Sequence, residues 1–233
     1  MELKLKLFNT IMPNISKEDY LSAIYKYQDE NNEIKPTLIA KKLQISNAAV
    51  TDMLRKLSKE KYVNYEKYRK ITLTEKGKIY AQNMVRRHRI WEVFLNQVVG
   101  MPWDKVHDEA HKLEHSSSDE LIDRMEEMLE FPEYDPHGDP IPSKEGKVPK
   151  LKKNIPLTML GEGKTGRVIR VNDFEDGFLV YIAEIGIKLN ELIEIQAVRN
   201  FDKSMSIKIN GKERDISRKL AENVFVELIK HRK

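Results

Sequence analysis

The feature that most restricts the architecture of this 233-residue chain is a change of hydrophobic period part-way along it. Up to about residue 130, apolar side chains recur every three or four residues, the spacing of helices that bury one stripe. Beyond about residue 154 they gather in short runs, Leu157 to Val171, Phe178 to Ile195 and Met205 to Ile209, interrupted by Gly161, Gly163, Gly166 and an Asn210-Gly211 pair, the pattern of short strands joined by tight turns. Phe131 to Asn154, between them, fills with Pro, Gly and charge and reads as an irregular connection. A helical stripe and a pleated strand face seek different packing partners, so the chain is expected to build separate layers. The expected fold is a mainly α N-terminal part followed by a small all-β barrel, with Val224-Phe225-Val226 closing the barrel.

Within the helical part, Ser16 is a fitting N-cap for a helix to Tyr27, with Tyr20, Leu21, Ile24 and Tyr25 at helical spacing. Pro36 to Leu43 reads as a short helix with Pro in its first turn, and Asn47 to Lys59 as a longer one after the turn Gln44-Ile45-Ser46. Short helix, tight turn and longer helix make a helix-turn-helix, in which Val50, Leu54 and Leu57 form the inward stripe. Tyr62 to Tyr65 and Ile71 to Thr74 then alternate like strands around the basic tip Glu66-Lys67-Tyr68-Arg69-Lys70, which adds a wing. Thr74 is expected to cap a helix running to about Arg89, followed by helices from about His88 to Val99, Asp104 to His115 and Ser118 to Leu129.

Charge is divided along the chain. Residues 1–90 hold 19 Lys and Arg against 10 Asp and Glu, residues 91–145 hold 4 against 15, and residues 146–233 hold 18 against 12. A basic first segment suits a polyanion such as DNA, and an acidic middle suits cations. With no cysteine, thiolate metal sites and cysteine nucleophiles are excluded, so a metal must be held by imidazole, carboxylate, thioether or backbone oxygen. No stretch is long and apolar enough to span a membrane, and the opening MELKLKLF lacks the unbroken apolar core of a signal peptide, so a cytoplasmic location is expected.

The middle segment concentrates histidine. His88 and Glu92 are four residues apart and project from one helix face. His107, His111 and His115 fan over roughly 80° of the next helix, with Glu114 on the same side. Any one of these histidines alone would read as structural or solvated; together with His137 they read as metal ligands, with room for two ions beside one helix.

The segment VHDEAHKLEHSSSDELIDR, preceded by RRHRIWE, closely resembles the metal-binding helices of the diphtheria toxin repressor and manganese transport regulator family. EDYLSAIY, the helix-turn-helix and EKYRKITLTEKG are similar to that family too, and the C-terminal part resembles its SH3-like domain more loosely. The resemblance implies three domains: a winged helix-turn-helix at 1–82, a helical metal-binding and dimerisation domain at 83–145, and an SH3-like (FeoA-like) domain at 146–233. It implies a regulatory site of Asp19, His111, Glu114 and His115, and an ancillary site of His88, Glu92 and His107 joined by Asp135, His137 and Asp173. Oxygen and nitrogen ligands at the Asp19 and His111 positions favour Mn(II), whereas iron-responsive relatives tend to place sulfur there. Manganese regulators commonly carry acids at the His111 and Ser22 positions, which keeps Fe(II) as the alternative; Zn(II) or Co(II) would substitute in vitro.

The function implied is a metal-dependent, DNA-binding repressor of metal-uptake genes, acting as a homodimer on a pseudo-palindromic operator. Ser46, Asn47, Ala48, Thr51 and Asp52 are expected near base edges, and Lys67, Arg69 and Lys70 on phosphates. Val93, Phe94, Val98, Val99, Met101 and Trp103 are apolar enough to form the dimer interface or to fill a monomer core. A metallohydrolase is the rival reading, because His and carboxylate clusters also hold catalytic metals. It lacks an H-E-x-x-H helix, a phosphate-binding Gly loop and a nucleophile elbow, and it leaves the wing and the charge division unexplained.

Overall fold

The computed structural model describes residues 16–28, 33–66, 70–150, 153–172 and 177–229. It forms two compact units, Met1–Arg86 with Ser143–Gly146, and Arg87–Pro142 with Lys147–Lys233.

In the first unit, helix α1 (Lys17–Tyr27) opens with a capping box: the Ser16 hydroxyl accepts the Glu18 and Asp19 amides, and the Asp19 carboxylate accepts the Ser16 amide at 2.6 Å. Helices α2 (Pro36–Lys42) and α3 (Asn47–Lys59) follow the expected helix-turn-helix, and the turn passes through Gln44 at φ 53°. Strands β1 (Val63–Asn64) and β2 (Thr72–Leu73) pair antiparallel as the base of the wing, with Val63 opposite Leu73. Lys67 and Arg69 lie outside the described residues. Leu21, Ile24, Ile39, Val50, Leu54, Leu57 and Ile71 are fully buried together in the core of this unit.

Helix α4 (Glu75–Gln97) is one uninterrupted helix where two were expected, the first ending near Arg89. Nothing in RRHRI stops it: no Pro or Gly intervenes, and a 23-residue helix of about 35 Å simply continues. Thr74 precedes it as expected, accepting the Gly77 amide at 3.1 Å and donating to the Lys61 carbonyl at 2.7 Å. Gly77 is required there, because a Cβ would stand 1.9 Å from the Tyr62 carbonyl oxygen.

In the second unit, the remainder of α4 is joined by α5 (Val106–Glu114) and α6 (Asp119–Met128), the latter capped by Ser118. Ile90, Val93, Ile122, Met125 and Ile141 form one apolar cluster; Leu95, Val106 and Ala110 form another. Further along come β3 (Ile155–Pro156), a 3-10 turn (Leu157–Met159), β4 (Thr165–Val171), α7 (Phe178–Glu184), β5 (Leu192–Val198), β6 (Met205–Ile209), β7 (Lys212–Ile216), α8 (Arg218–Glu222) and β8 (Val224–Leu228). The sheet is antiparallel throughout, in the order β3-β8-β4-β5-β6-β7. Asn210 and Gly211 turn the β6–β7 hairpin, both at positive φ.

The expected small all-β domain is present as this six-stranded antiparallel sheet, with two differences of detail. No pairing joins β3 to β7 among the described residues, so the sheet is not closed by its strand ladder. Phe178–Glu184, read as strand, is helical: Leu179 and Ile182 are buried three residues apart, and short apolar runs do not distinguish strand from buried helix by period alone. The helix ends in a Schellman motif, with Gly186 at φ +91° and its amide on Ala183 O, and the Ile187 amide on Ile182 O at 2.8 Å.

Candidate metal centre and nucleic-acid interface

The second unit gathers the histidines. On α4, His88 and Glu92 lie one turn apart and are 5% and 1% exposed. Burying such ionisable groups is costly unless they have partners there. Glu92 Oε1 lies 3.0 Å from His88 Nε2 and 3.1 Å from His107 Nδ1 of α5, and the His88 and His107 nitrogens are 3.0 Å apart. Burial opposes ionisation of Glu92, yet the His88, His107 and His137 rings around it hold its carboxyl well below the usual carboxylate range. Three donor atoms thus converge within a space that one divalent ion could fill.

Glu114, also buried, joins two sets of rings. Its Oε1 lies 2.9 Å from His111 Nδ1 and 3.3 Å from His115 Nε2, while its Oε2 lies 2.6 Å from His88 Nδ1. One imidazole therefore faces Glu114 with one nitrogen and Glu92 with the other, which fixes its ring plane. Asp19 belongs to the first unit and there serves the α1 cap.

The connection after α6 brings His137 and Asp135 to the same region. His137 Nδ1 stands 3.9 Å from Glu92 Oε2, its Nε2 lies 3.0 Å from the Trp103 carbonyl, and its own carbonyl accepts the Val171 amide of β4. Asp135 is more committed: Oδ1 accepts the His137 and Asp139 amides at 2.8 and 3.0 Å, and Oδ2 pairs with Arg89 Nε at 3.2 Å. Its carboxyl is pushed up to about 7 by burial and by the nearby Glu92 charge, against the pull of Arg89. Sequence reasoning missed Arg89 and Asp139, which pair at 3.4 Å and tie this connection to α4. An arginine next to His88 in a basic run carried no signal of that role. Asp173 lies outside the described residues.

On the first unit, Ser46, Asn47, Ala48 and Asp52 are exposed and Thr51 is half-buried. Ser46 caps α3 by accepting the Ala49 amide at 3.1 Å, and the Thr51 hydroxyl donates to Asn47 O at 2.9 Å. Lys70 pairs with Glu33 at 2.5 Å at the base of the wing. Of the apolar residues considered for an interface, Val93 is buried in the helical core and Trp103 packs against the sheet core, whereas Val98 and Val99 are 54% and 56% exposed.

A winged helix-turn-helix followed by a helical unit rich in converging imidazoles and carboxylates defines a DNA-binding regulator with a metal-competent domain. Family comparison agrees with the expected resemblance. Residues 14–71 match the iron-dependent repressor N-terminal DNA-binding domain, residues 74–143 the iron-dependent repressor metal-binding and dimerisation domain, and residues 155–228 the FeoA domain. An uncharacterized HTH-type transcriptional regulator of Methanocaldococcus jannaschii is 45% identical over 116 residues, 49% of this chain and 93% of that protein. A manganese-dependent transcriptional repressor in complex with manganese superposes with a TM-score of 0.83 at 35% identity, covering 92% of this chain and all (100%) of that one. The manganese regulator SloR superposes with a TM-score of 0.76 at 30% identity, covering 92% of this chain and 99% of that one. The chain belongs to the iron-dependent repressor family of metal-dependent transcriptional regulators, whose members are DNA-binding proteins and not enzymes.

Proposed function

We propose that the chain is a homodimeric repressor of metal-uptake genes, activated by Mn(II) and acting on a pseudo-palindromic operator. The observation that carries the reading is Glu114, a buried carboxylate with His111 and His115 on one oxygen and His88 on the other. A buried acid among three imidazoles suits a divalent cation, and these nitrogen and oxygen donors are of the kind Mn(II) accepts. The similar solved repressors bear manganese in their names, which supports the same choice. The His111 imidazole, where manganese regulators commonly place an acid, favours Fe(II) as the second reading.

We divide the chain into a DNA-binding domain at 1–82, a metal-binding and dimerisation domain at 83–145 and an FeoA-like domain at 146–233. In the regulatory site His111, Glu114 and His115 supply one imidazole pair and one carboxylate, and Asp19 completes the set from α1. In the ancillary site His88, Glu92 and His107 converge, His137 adds a further nitrogen, and Asp135 chiefly holds His137 in place. Held by these residues, a divalent cation would supply the positive charge that their carboxylates and imidazoles coordinate. Because Asp19 belongs to the helix packed beside the helix-turn-helix, its engagement narrows the positions open to the recognition helix and favours the spacing of DNA half-sites. Exposed Val98 and Val99 at the end of α4 are suited to a subunit interface.

The test is capture of genomic DNA fragments under anaerobic conditions, with and without Mn(II) or Fe(II), by the wild type, His111→Ala and Asp19→Ala. Metal-dependent capture lost in both variants is expected. Equal capture in the absence of metal overturns the switch, and capture with Fe(II) alone transfers it to iron.

A further inference from the structure

Helix α3 carries an acid where a DNA-facing helix should avoid one. At about 100° per residue, Ala48, Asp52, Arg55 and Lys59 form the stripe opposite buried Val50, Leu54 and Leu57. An uncompensated carboxylate in the middle of that stripe would be repelled by phosphate. Asp52 is compensated: its Oδ1 lies 3.3 Å from Arg55 Nη1, one turn further along the same face. Both side chains are well exposed, 77% for Asp52 and 58% for Arg55, so the pair adds little to folding stability. Small Ala48 and Ala49 precede it and leave close approach open. Thr51, by contrast, spends its hydroxyl proton on its own helix.

We propose that Asp52 and Arg55 act as one base-reading unit, in which Arg55 addresses the O6 and N7 acceptors of a guanine in the major groove and Asp52 fixes the guanidinium's orientation. This rests on the reading of α3 as the recognition helix. Arginine has five donors in a planar fork, so an edge engaged by a carboxylate leaves others free for the two guanine acceptors. The carboxylate also offsets the charge that would otherwise draw Arg55 to the nearest phosphate. Asp52 is thus a positioning residue, and Arg55 the one that touches the base.

The experiment uses the full chain with Mn(II). Wild type first selects sites from randomised duplex DNA, and binding to the best site and its single base-pair variants is then measured by fluorescence anisotropy at two salt concentrations. Arg55→Ala is expected to lose about 5- to 150-fold in affinity for the best site and to flatten the preference at a single G·C pair. Asp52→Ala is expected to flatten preference at that same pair while binding unrelated DNA more tightly and with a steeper salt dependence. The proposal is overturned if Arg55→Ala weakens all sites equally and lowers the salt slope by about one, the mark of a phosphate contact. It is overturned equally if Asp52→Ala keeps the wild-type base preference. Failure of wild type to select any sequence overturns the DNA-reading role of α3 itself, and with it the pair.

Discussion

Gly138 offers a quantitative test of how the connection after α6 is held against the sheet. It adopts φ +90°, and a Cβ built there would lie 2.1 Å from the Ile169 carbonyl oxygen and 2.9 Å from Arg170 Cα. Gly138→Ala therefore carries two costs. Placing a Cβ in left-handed backbone costs about 1–2 kcal/mol. Forcing the connection away from β4 to relieve a backbone overlap costs about 1–3 kcal/mol more. The expected loss is about 2–5 kcal/mol, the sum of those two ranges. Gly163→Ala is the control, since Gly163 has φ +68° but nothing within 4 Å of its Cβ position. It should lose only the conformational part, about 1–2 kcal/mol. Urea unfolding of the chelator-treated protein, followed by tryptophan fluorescence, measures both variants. The 2 tryptophans, Trp91 and Trp103, lie in the second unit, so the signal reports on that unit alone. Equal losses for the two variants would refute close approach as the reason for Gly138. A loss below about 0.5 kcal/mol for Gly138→Ala would refute the whole account, since that is the scatter of ordinary surface substitutions.

Three further outcomes are expected. Ser16→Ala removes both the hydroxyl that accepts the Glu18 and Asp19 amides and the organising half of the capping box; helix circular dichroism on urea unfolding should show a loss of about 1 kcal/mol, and no shift would mean the box is dispensable. Leu54→Ala empties a fully buried position in the helix-turn-helix core, and the same measurement should register about 2–5 kcal/mol, with less than about 1 kcal/mol indicating that the core collapses to fill the space. Glu92→Gln withdraws the charge that His88, His107 and His137 surround; calorimetric titration with Mn(II) should lose one binding step, and an isotherm identical to wild type would remove Glu92 from the ligand set.

The helix-turn-helix was readable because its signals are local. Ser16, Pro36, Ser46, Thr74 and Ser118 each mark a helix start through bonds or geometry within a few residues, and each stands where its helix begins. The break expected near Arg89 does not occur in α4 because none of the residues of RRHRI breaks a helix. Phe178–Glu184 was misread because its run of apolar residues fits both periods until the burial of Leu179 and Ile182 selects one.

The metal centre divides in the same way. Four-residue spacing alone put His88 with Glu92, and His107, His111 and His115 on one side of α5, because helix geometry repeats nearly every fourth residue. That Glu114 faces His88, that His107 meets Glu92, and that Arg89 occupies Asp135 depend on how α4, α5 and the connection pack. Sequence spacing determines which side chains share a helix face, since that follows from local backbone geometry. Which faces meet, and which oxygen of a shared carboxylate each ring takes, is decided only when burial of the intervening apolar stripes sets the separation and rotation of the helices.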